Sequence, residues 1–203
     1  MKLLNSIGPN PQVVRMFLAE KGVDLALEEV DLMAGENRQE AYVKKNPSGQ
    51  LPCLELDDGS YISEITAICE YLEEKHPQKP LIGTTAEERA EARMWVRKID
   101  LGICENLANG FRFSEGLPLF KDRMVTLPEA AEGLKGLAQD RIRWLDDQLA
   151  GKTFICGERI TLADILLYCF LSFGATVGQP LDPGFANVNA WFERIAARGS
   201  AQA

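Results

Sequence analysis

The sequence predicts two domains in series, a mixed α/β domain followed by an all-α domain. In residues 1–77, short apolar runs typical of strands alternate with segments of helical periodicity. Residues 78–84 contain proline and glycine without periodicity, which indicates a linker. From residue 85 onward the spacing of apolar residues is helical. We therefore expect domains at 1–77 and 85–203, joined by the linker at 78–84.

The first half of the N-terminal domain has the pattern of a βαβ unit. Lys2–Asn5 predicts a buried strand, and the apolar spacing after Pro11 predicts a helix that ends at Gly22. Leu25–Val30 predicts a second strand, which the intervening helix makes parallel to the first. A short helix is expected at Arg38–Lys45.

The segment 46–77 completes this domain with a hairpin and a helix. Cys53–Leu56 and the residues around Tyr61 predict two strands joined by an Asp-Asp-Gly turn, and a helix is expected from Glu64 to Lys75. Pro52 suits the entry of its strand because proline cannot donate a ladder hydrogen bond. The resulting order βαβ-α-ββ-α predicts a thioredoxin-like domain.

The second domain has the start signals of a helical bundle. Thr85 with Glu88, and Thr161 with Asp164, have the spacing of capping boxes, which satisfy free N–H groups at a helix start. We expect the first of these helices to end at Asn109-Gly110. The helix after Thr161 is apolar nearly all round, which predicts a central position in the bundle.

The composition of the chain limits its possible binding partners and its cellular compartment. The 30 acidic and 22 basic residues give a net charge of -8, which argues against nucleic acid as a generic partner. No apolar run has the length of a membrane span or of a secretory signal, so we expect a cytoplasmic protein without a membrane partner. The five cysteines are scattered and form no C-x-x-C, and the single histidine excludes a His-rich metal site. No metal is expected.

Two backbone features of the segment 46–77 suit a small peptide. A cis bond before Pro52 would turn the backbone of Leu51 outward and leave its N–H and C=O for an extended ligand. The start of the helix at Glu64 offers free N–H groups, which suit a carboxylate. We expect this segment to hold a peptide by its backbone and by its acid end.

These motifs together resemble those of the cytosolic glutathione transferases. The similarity rests on Gln50-Leu51-Pro52, on the run Ser63–Ile68, and on Gly157–Asp164, and it extends over essentially the whole chain. The N-terminal segment looks like that of the bacterial members, although no class is assigned. The resemblance implies a homodimer that binds glutathione with its N-terminal domain and an electrophile with its helical half.

The resemblance also implies roles for single residues. The backbone of Leu51 would pair with the cysteinyl part of glutathione beside a cis Pro52, and Gln50 would reach toward the glycyl end. Glu64 and Ile65 would hold the γ-glutamyl end. Ile65 departs from the family pattern, because members commonly carry a hydroxyl at this position.

A second departure from the family concerns the residue that would stabilise the thiolate of glutathione. The positions that carry a catalytic Ser or Cys, or a Tyr, in many classes fall here on Gly8 and Leu4, and neither side chain can donate to a thiolate. Lowering a thiol pKa by roughly 2 units takes about 3 kcal/mol, more than the ~1 kcal/mol of a helix N-terminus. A further donor is needed. Asn10 and Ser6 are equal candidates, ahead of Asn5, and each has a structural alternative as a helix cap, turn residue or strand end.

Phe111, Arg112 and Phe113 are candidates for the electrophile pocket because they follow the expected end of a long helix. Exposed aromatic rings there would line the pocket, and Arg112 would attract an anionic group. Ordinary packing between helices, with a surface arginine, is the alternative for all three.

The leading hypothesis is a glutathione transferase that conjugates the glutathione thiol to a small soluble electrophile, as in detoxification. The alternative is a glutathione transferase-like binding or regulatory protein, which the unusual Gly8 and Leu4 favour. Thiol-disulfide exchange is a third option, but it would need a cysteine near position 8. The sequence does not identify the electrophile.

Overall fold

The structure is a computed structural model that describes residues 1–203. The chain divides into two compact units, which comprise Met1–Leu81 with Gln202–Ala203, and Ile82–Ala201. We call them unit 1 and unit 2. None of the helices combines the length and the apolar character needed to cross a membrane.

Unit 1 is a four-stranded mixed sheet with helices. Its strands are β1 (Lys2–Asn5), β2 (Ala26–Glu29), β3 (Cys53–Glu55) and β4 (Tyr61–Ser63), and its helices are α1 (Pro9–Lys21), α2 (Glu40–Val43) and α3 (Ile65–Lys75). The strand order is β2-β1-β3-β4. β1 is parallel to β2 and antiparallel to β3, and β4 is antiparallel to β3. This arrangement confirms the predicted thioredoxin-like order.

The start of α1 differs from the sequence-based expectation. Gly8 is the N-cap, with a φ of 108°, and Pro9 and Asn10 are already helical. The expected structural role of Asn10 as N-cap is therefore wrong, because Pro9 takes the first helical position. Proline suits that position, since its φ is already helical and its missing N–H would have no partner there. The predicted end at Gly22 is confirmed by its left-handed φ of 68°.

Two other predicted elements of unit 1 are shorter than expected. The strand predicted at Leu25–Val30 is limited to β2, and the helix predicted at Arg38–Lys45 is a 3-10 turn at Glu36–Arg38 followed by α2. Three of the four residues of β2 are exposed. β2 is the edge of the sheet, so little packing is available to extend it.

A buried ion pair lies in unit 1 beside the end of α1. Lys21 Nζ is 2.6 Å from Glu73 Oε2, and the two side chains are 0% and 5% exposed. Lys21 also donates to the carbonyls of Gln78 and Lys79, and Glu73 accepts the N–H of Leu81. This pair therefore ties residues 78–81, which follow α3, to both helices.

Unit 2 is all helical. Its helices are α4 (Ala86–Ile99), α5 (Glu105–Arg112), α6 (Leu117–Phe120), α7 (Ala131–Leu149), α8 (Leu162–Thr176) and α9 (Ala186–Ala196). A π-helical segment, Asp100–Cys104, joins α4 to α5, and 3-10 turns lie at Pro128–Ala130 and Gly199–Gln202. Ten consecutive residues of α8, 162–171, are buried, which confirms its predicted central position.

The expected helix end at Asn109-Gly110 is wrong, because the helix continues to Arg112. Gly110 is required by packing rather than by chain reversal: a Cβ there would lie 2.8 Å from Cγ of Lys135 on α7. The Asn109 side chain bonds within its own helix, to Glu105 and Arg112. A glycine that permits close helix contact is indistinguishable from a helix-ending glycine in the sequence alone.

Both predicted capping boxes are confirmed, at Thr85 with Glu88 and at Thr161 with Asp164. Asp164 does more than cap α8. Its carboxylate also accepts the N–H of Ile155 and the indole N–H of Trp191, each at 2.9 Å.

Candidate functional site

The backbone of Leu51 is open in unit 1. The Leu51-Pro52 bond is cis, as predicted. Leu51 precedes β3, and neither its N–H nor its C=O makes a hydrogen bond within the protein. Its side chain packs into an apolar cluster with Leu4, Tyr42 and Cys53. The residue therefore has a fixed side chain and a free backbone donor and acceptor, an arrangement suited to an extended peptide.

The peptide unit before Leu51 is held from its other side. The carbonyl of Gln50 accepts from the Tyr42 hydroxyl at 2.6 Å and from Asn46 Nδ2 at 2.8 Å. The neighbouring carbonyl of Gly49 accepts from Asn37 Nδ2 at 2.7 Å. Sequence reasoning missed these three residues. The only signal was a tyrosine and an asparagine one helical turn apart before the Pro-Ser-Gly loop.

Free N–H groups lie at the start of α3. Glu64 is its N-cap and has a φ of 71°, which is rare for a residue other than glycine. The first helical bond runs from the N–H of Ile68 to Glu64, so the N–H groups of Ile65, Thr66 and Ala67 have no helical partner. Backbone strain of this kind is common at ligand sites, and a helix N-terminus favours an anion.

The side chains around this helix start are compatible with a polar ligand. Glu64 is exposed and Ile65 is half-buried, so the missing hydroxyl at position 65 is a real loss of one donor. Thr66, the next residue, is half-buried, and its hydroxyl makes no hydrogen bond within the protein. The sequence analysis included Thr66 in the run Ser63–Ile68 but gave it no role of its own, although it carries the nearest available hydroxyl beyond position 65. Gln50 is also exposed, with its side chain unbonded.

The three candidate donors, Asn5, Ser6 and Asn10, differ in the hydrogen bonds that their side chains already make. Ser6 is buried, and its hydroxyl donates to the carbonyl of Val30 at 2.7 Å. Asn5 is also buried. Its Nδ2 donates to the Glu29 carboxylate, and its Oδ1 accepts from the Arg15 guanidinium. The Ser6 hydroxyl proton and one N–H of the Asn5 amide are therefore already engaged within the protein.

Asn10 is the candidate donor without a partner. Its side chain is half-exposed at the second position of α1, and its amide makes no hydrogen bond within the protein. Pro9 and Pro11 flank it and have no N–H, so Asn10 provides the sole backbone N–H of the first three helical positions. One residue thus offers both a backbone and a side-chain donor at the positive end of α1.

The thiols of the chain itself are not poised for nucleophilic chemistry. None of the five cysteines forms a disulfide, and all five are buried. Burial raises the pKa of Cys53 and of Cys156 to about 11 and raises the pKa of Cys104 as well. These thiols are protonated at neutral pH, and only a thiolate is a good nucleophile.

The aromatic side chains predicted to line an electrophile pocket are packed among helices of unit 2. The Phe111 ring contacts Phe120 and Phe173 edge-on, with centroids 6.1 and 5.1 Å apart. Phe113 is 8% exposed, so it does not present an open ring. Arg112 donates to Asn109, and burial lowers its pKa. These contacts favour the packing alternative.

A groove of about 530 Å³ lies elsewhere in unit 2, between the π-helical segment and α7. Arg97, Lys98 and Arg141 line it together with the exposed Leu101 and Leu137. None of the residues predicted for the electrophile pocket lines this groove.

Family models match both halves of the chain. Residues 7–75 match the N-terminal domain of glutathione S-transferases, and residues 120–199 match their C-terminal domain. The first match contains Asn10, Leu51 and Glu64, and so includes the loop and helix starts described above.

Similarity to curated proteins extends beyond those named as transferases. The chain is 33% identical over 144 residues to a protein named elongation factor 1-gamma from Prunus avium. This match covers 71% of the chain and 32% of that protein, so the chain spans about a third of its length.

Whole-length relatives are named as transferases. The chain is 31% identical to glutathione S-transferase GstA of Escherichia coli O157:H7, with 100% of the chain and 96% of the relative covered. It is 29% identical to glutathione S-transferase 2 of Saccharomyces cerevisiae, with coverages of 95% and 84%. A solved glutathione S-transferase domain-containing protein of Marinobacter aquaeolei VT8 is 34% identical, with a TM-score of 0.93 and coverages of 98% and 99%. The chain therefore belongs to the glutathione S-transferase family.

Proposed function

We propose that this protein is a glutathione transferase, which binds glutathione on unit 1 and conjugates its thiol to a small electrophile. The observation that carries the proposal is the open backbone of Leu51 beside a cis Pro52, together with the free N–H groups that follow Glu64. The names of the whole-length relatives support it. In this proposal residues 1–77 are the glutathione-binding domain and residues 85–203 the helical domain, joined by 78–84.

Glutathione is the co-substrate, and its three parts have separate partners. The N–H and C=O of Leu51 pair with the cysteinyl part, and Gln50 reaches toward the glycyl carboxylate. The N–H groups of Ile65 and Thr66 receive the γ-glutamyl carboxylate, with the Thr66 hydroxyl replacing the donor that Ile65 lacks. The exposed carboxylate of Glu64 attracts the γ-glutamyl ammonium group.

The chemistry requires a thiolate. The bound thiol loses its proton to water, and the sulfur then forms a bond to the electrophilic carbon, from which a leaving group departs with the bonding electrons. Asn10 stabilises the anion through its amide and backbone N–H, aided by the N-terminus of α1. Ser6 is the weaker candidate, because its proton is donated to Val30.

We further propose a homodimer in the cytoplasm, without nucleic acid, membrane or metal partners. The resemblance to the family supports dimerisation, and the net charge of -8 disfavours nucleic acid. No group of three or more His, Cys, Asp and Glu side chains is arranged to hold a metal ion. Phe111, Arg112 and Phe113 remain candidates for the electrophile pocket only if their packing rearranges.

A binding or regulatory role without efficient conjugation is the second candidate. The side chains of Gly8 and Leu4, which cannot donate to a thiolate, are the observation on its side, whereas the names of the whole-length relatives favour the transferase. In that case the glutathione contacts of unit 1 would serve binding alone.

Retention on immobilised glutathione, followed by a conjugation assay with an aryl halide, separates the two roles. We expect the protein to be retained, to elute with free glutathione and to conjugate the halide. Retention without conjugation would favour the binding role. A protein that passes through the column unretained, and shows no heat of binding with glutathione, would refute both.

A further inference from the structure

A buried polar network lies behind the backbone of Leu51. The carbonyl of Gln50 accepts two hydrogen bonds, one from Tyr42 and one from Asn46, and these two residues are 4% and 3% exposed respectively. Asn46 is itself fixed, because its Oδ1 accepts from the hydroxyl of Ser48 at 2.9 Å. Two buried donors on one carbonyl exceed what a turn needs in order to satisfy that group.

The geometry of the peptide unit connects this network to the ligand side. The C=O of Gln50 and the N–H of Leu51 belong to one peptide unit, and they point in opposite directions because that bond is trans. Fixing the carbonyl therefore fixes the direction of the N–H. Hydrogen bonds accepted by a carbonyl also polarise the peptide, which strengthens its N–H as a donor.

Tyr42 acts on Leu51 from two sides. Its side chain and that of Leu51 belong to one buried apolar cluster, which also contains Leu4 and Cys53, and its hydroxyl donates to the carbonyl of Gln50, the residue before Leu51. Burial raises the pKa of Tyr42, so its hydroxyl keeps its proton at neutral pH and remains a donor.

We propose that Tyr42 and Asn46 are positioning residues for glutathione, because they aim and polarise the Leu51 N–H toward the cysteinyl carbonyl of the ligand. This inference rests on the proposed function and adds residues that do not touch the ligand. Their contribution is to binding, since the thiolate is stabilised by another part of unit 1. A change at Tyr42 therefore affects the affinity for glutathione and leaves the chemical step unchanged.

The test compares Tyr42→Phe with Tyr61→Phe. The first variant keeps the ring in the cluster and removes the hydroxyl, and Asn46 still satisfies the Gln50 carbonyl, so the fold should survive. The second is the matched control, since Tyr61 packs against the same cluster and its hydroxyl makes no hydrogen bond within the protein. Calorimetry measures the Kd for glutathione, steady-state kinetics separate KM from kcat, and NMR follows the Leu51 amide.

For Tyr42→Phe we expect the Kd and KM for glutathione to rise about 2- to 10-fold, with kcat unchanged. The Leu51 amide nitrogen should shift upfield in the free protein, because the peptide is less polarised. Tyr61→Phe should change neither. If the two variants bind glutathione equally well, the positioning role is refuted while the transferase proposal stands. If the unmodified protein itself fails to bind glutathione, the proposed function is refuted and this inference fails with it.

Discussion

Replacing Asn10 by alanine should raise the pKa of the glutathione thiol bound to the protein. The half-exposed amide of Asn10 has no partner within the protein, and it lies at the second position of α1. The variant removes this amide and keeps the backbone N–H, so the two donors of the residue are separated. The first turn of the helix should remain intact, because alanine has a high helix propensity.

The expected size of the change follows from the donors that the first turn offers. A hydrogen bond to a charged group contributes roughly 1.5–3 kcal/mol, and one pKa unit corresponds to about 1.4 kcal/mol. Loss of the amide should therefore raise the thiol pKa by about 1 to 2 units. The helix N-terminus supplies up to about 1 kcal/mol and remains in the variant.

The assay is a pH titration of the ultraviolet absorbance of the bound thiolate, together with the pH dependence of kcat/KM. Ser6→Ala is the comparison, because its hydroxyl donates to Val30. This change should lower the free energy of unfolding by about 1 kcal/mol and leave the thiol pKa unchanged.

Two results would contradict the role of the Asn10 amide as thiolate donor. If the pKa of the bound thiol is unchanged in Asn10→Ala, the side-chain amide does not stabilise the thiolate, and the backbone N–H is the only donor from this residue. A raised pKa in Ser6→Ala would mean that the hydroxyl leaves Val30 when glutathione binds.

Three further predictions concern stability and are measured by chemical denaturation. Lys21→Met should lower the free energy of unfolding by about 3–5 kcal/mol, because it leaves the Glu73 carboxylate buried without its cation. Adding Glu73→Gln to this variant should restore part of the lost stability. A double variant with no recovery would contradict the explanation by a buried unpaired charge. Asp164→Ala should cost about 3–6 kcal/mol, because three buried N–H groups lose their acceptor, and a cost under about 1 kcal/mol would contradict this account. Glu88→Gln should remove stability at neutral pH but not near pH 2, because N–H and hydroxyl donors at Thr84 lower the Glu88 pKa from 4.5 to about 2. Its contribution is present above the unfolded value and lost as the pH falls toward 2, so an equal difference at both pH values would contradict this explanation.

Signals that act over a few residues were sufficient to predict much of the fold. The capping boxes at Thr85 and Thr161 depend on side chains three residues apart, and the end of α1 depends on a single glycine, so both are visible in the sequence. The Asn109-Gly110 helix end was wrong for the opposite reason. Gly110 is small because Lys135 packs against it, and that contact joins residues far apart in the chain.

In the candidate site, too, features set by nearby residues were predicted, and features set by residues far apart in the chain were not. The open backbone at Leu51 and the helix start at Glu64 were predicted from local motifs. The choice between Ser6 and Asn10 was not possible, because the hydroxyl of Ser6 meets a carbonyl 24 residues away. The support of the Gln50 carbonyl by Tyr42 also escaped prediction, since a buried tyrosine shows no sign of its hydrogen-bond partner in the sequence.

Glutathione binding on unit 1 is tested most directly by an NMR titration of the protein with glutathione that follows the backbone amides. If glutathione binds at the proposed site, the amides of Leu51, Ile65, Thr66 and Asn10 should shift together and saturate at one Kd. The Asn10 side-chain amide should shift with them. Saturable binding that leaves Leu51 and Ile65 unshifted would place the ligand elsewhere and contradict the proposed site, and an absence of any shift would contradict glutathione binding itself.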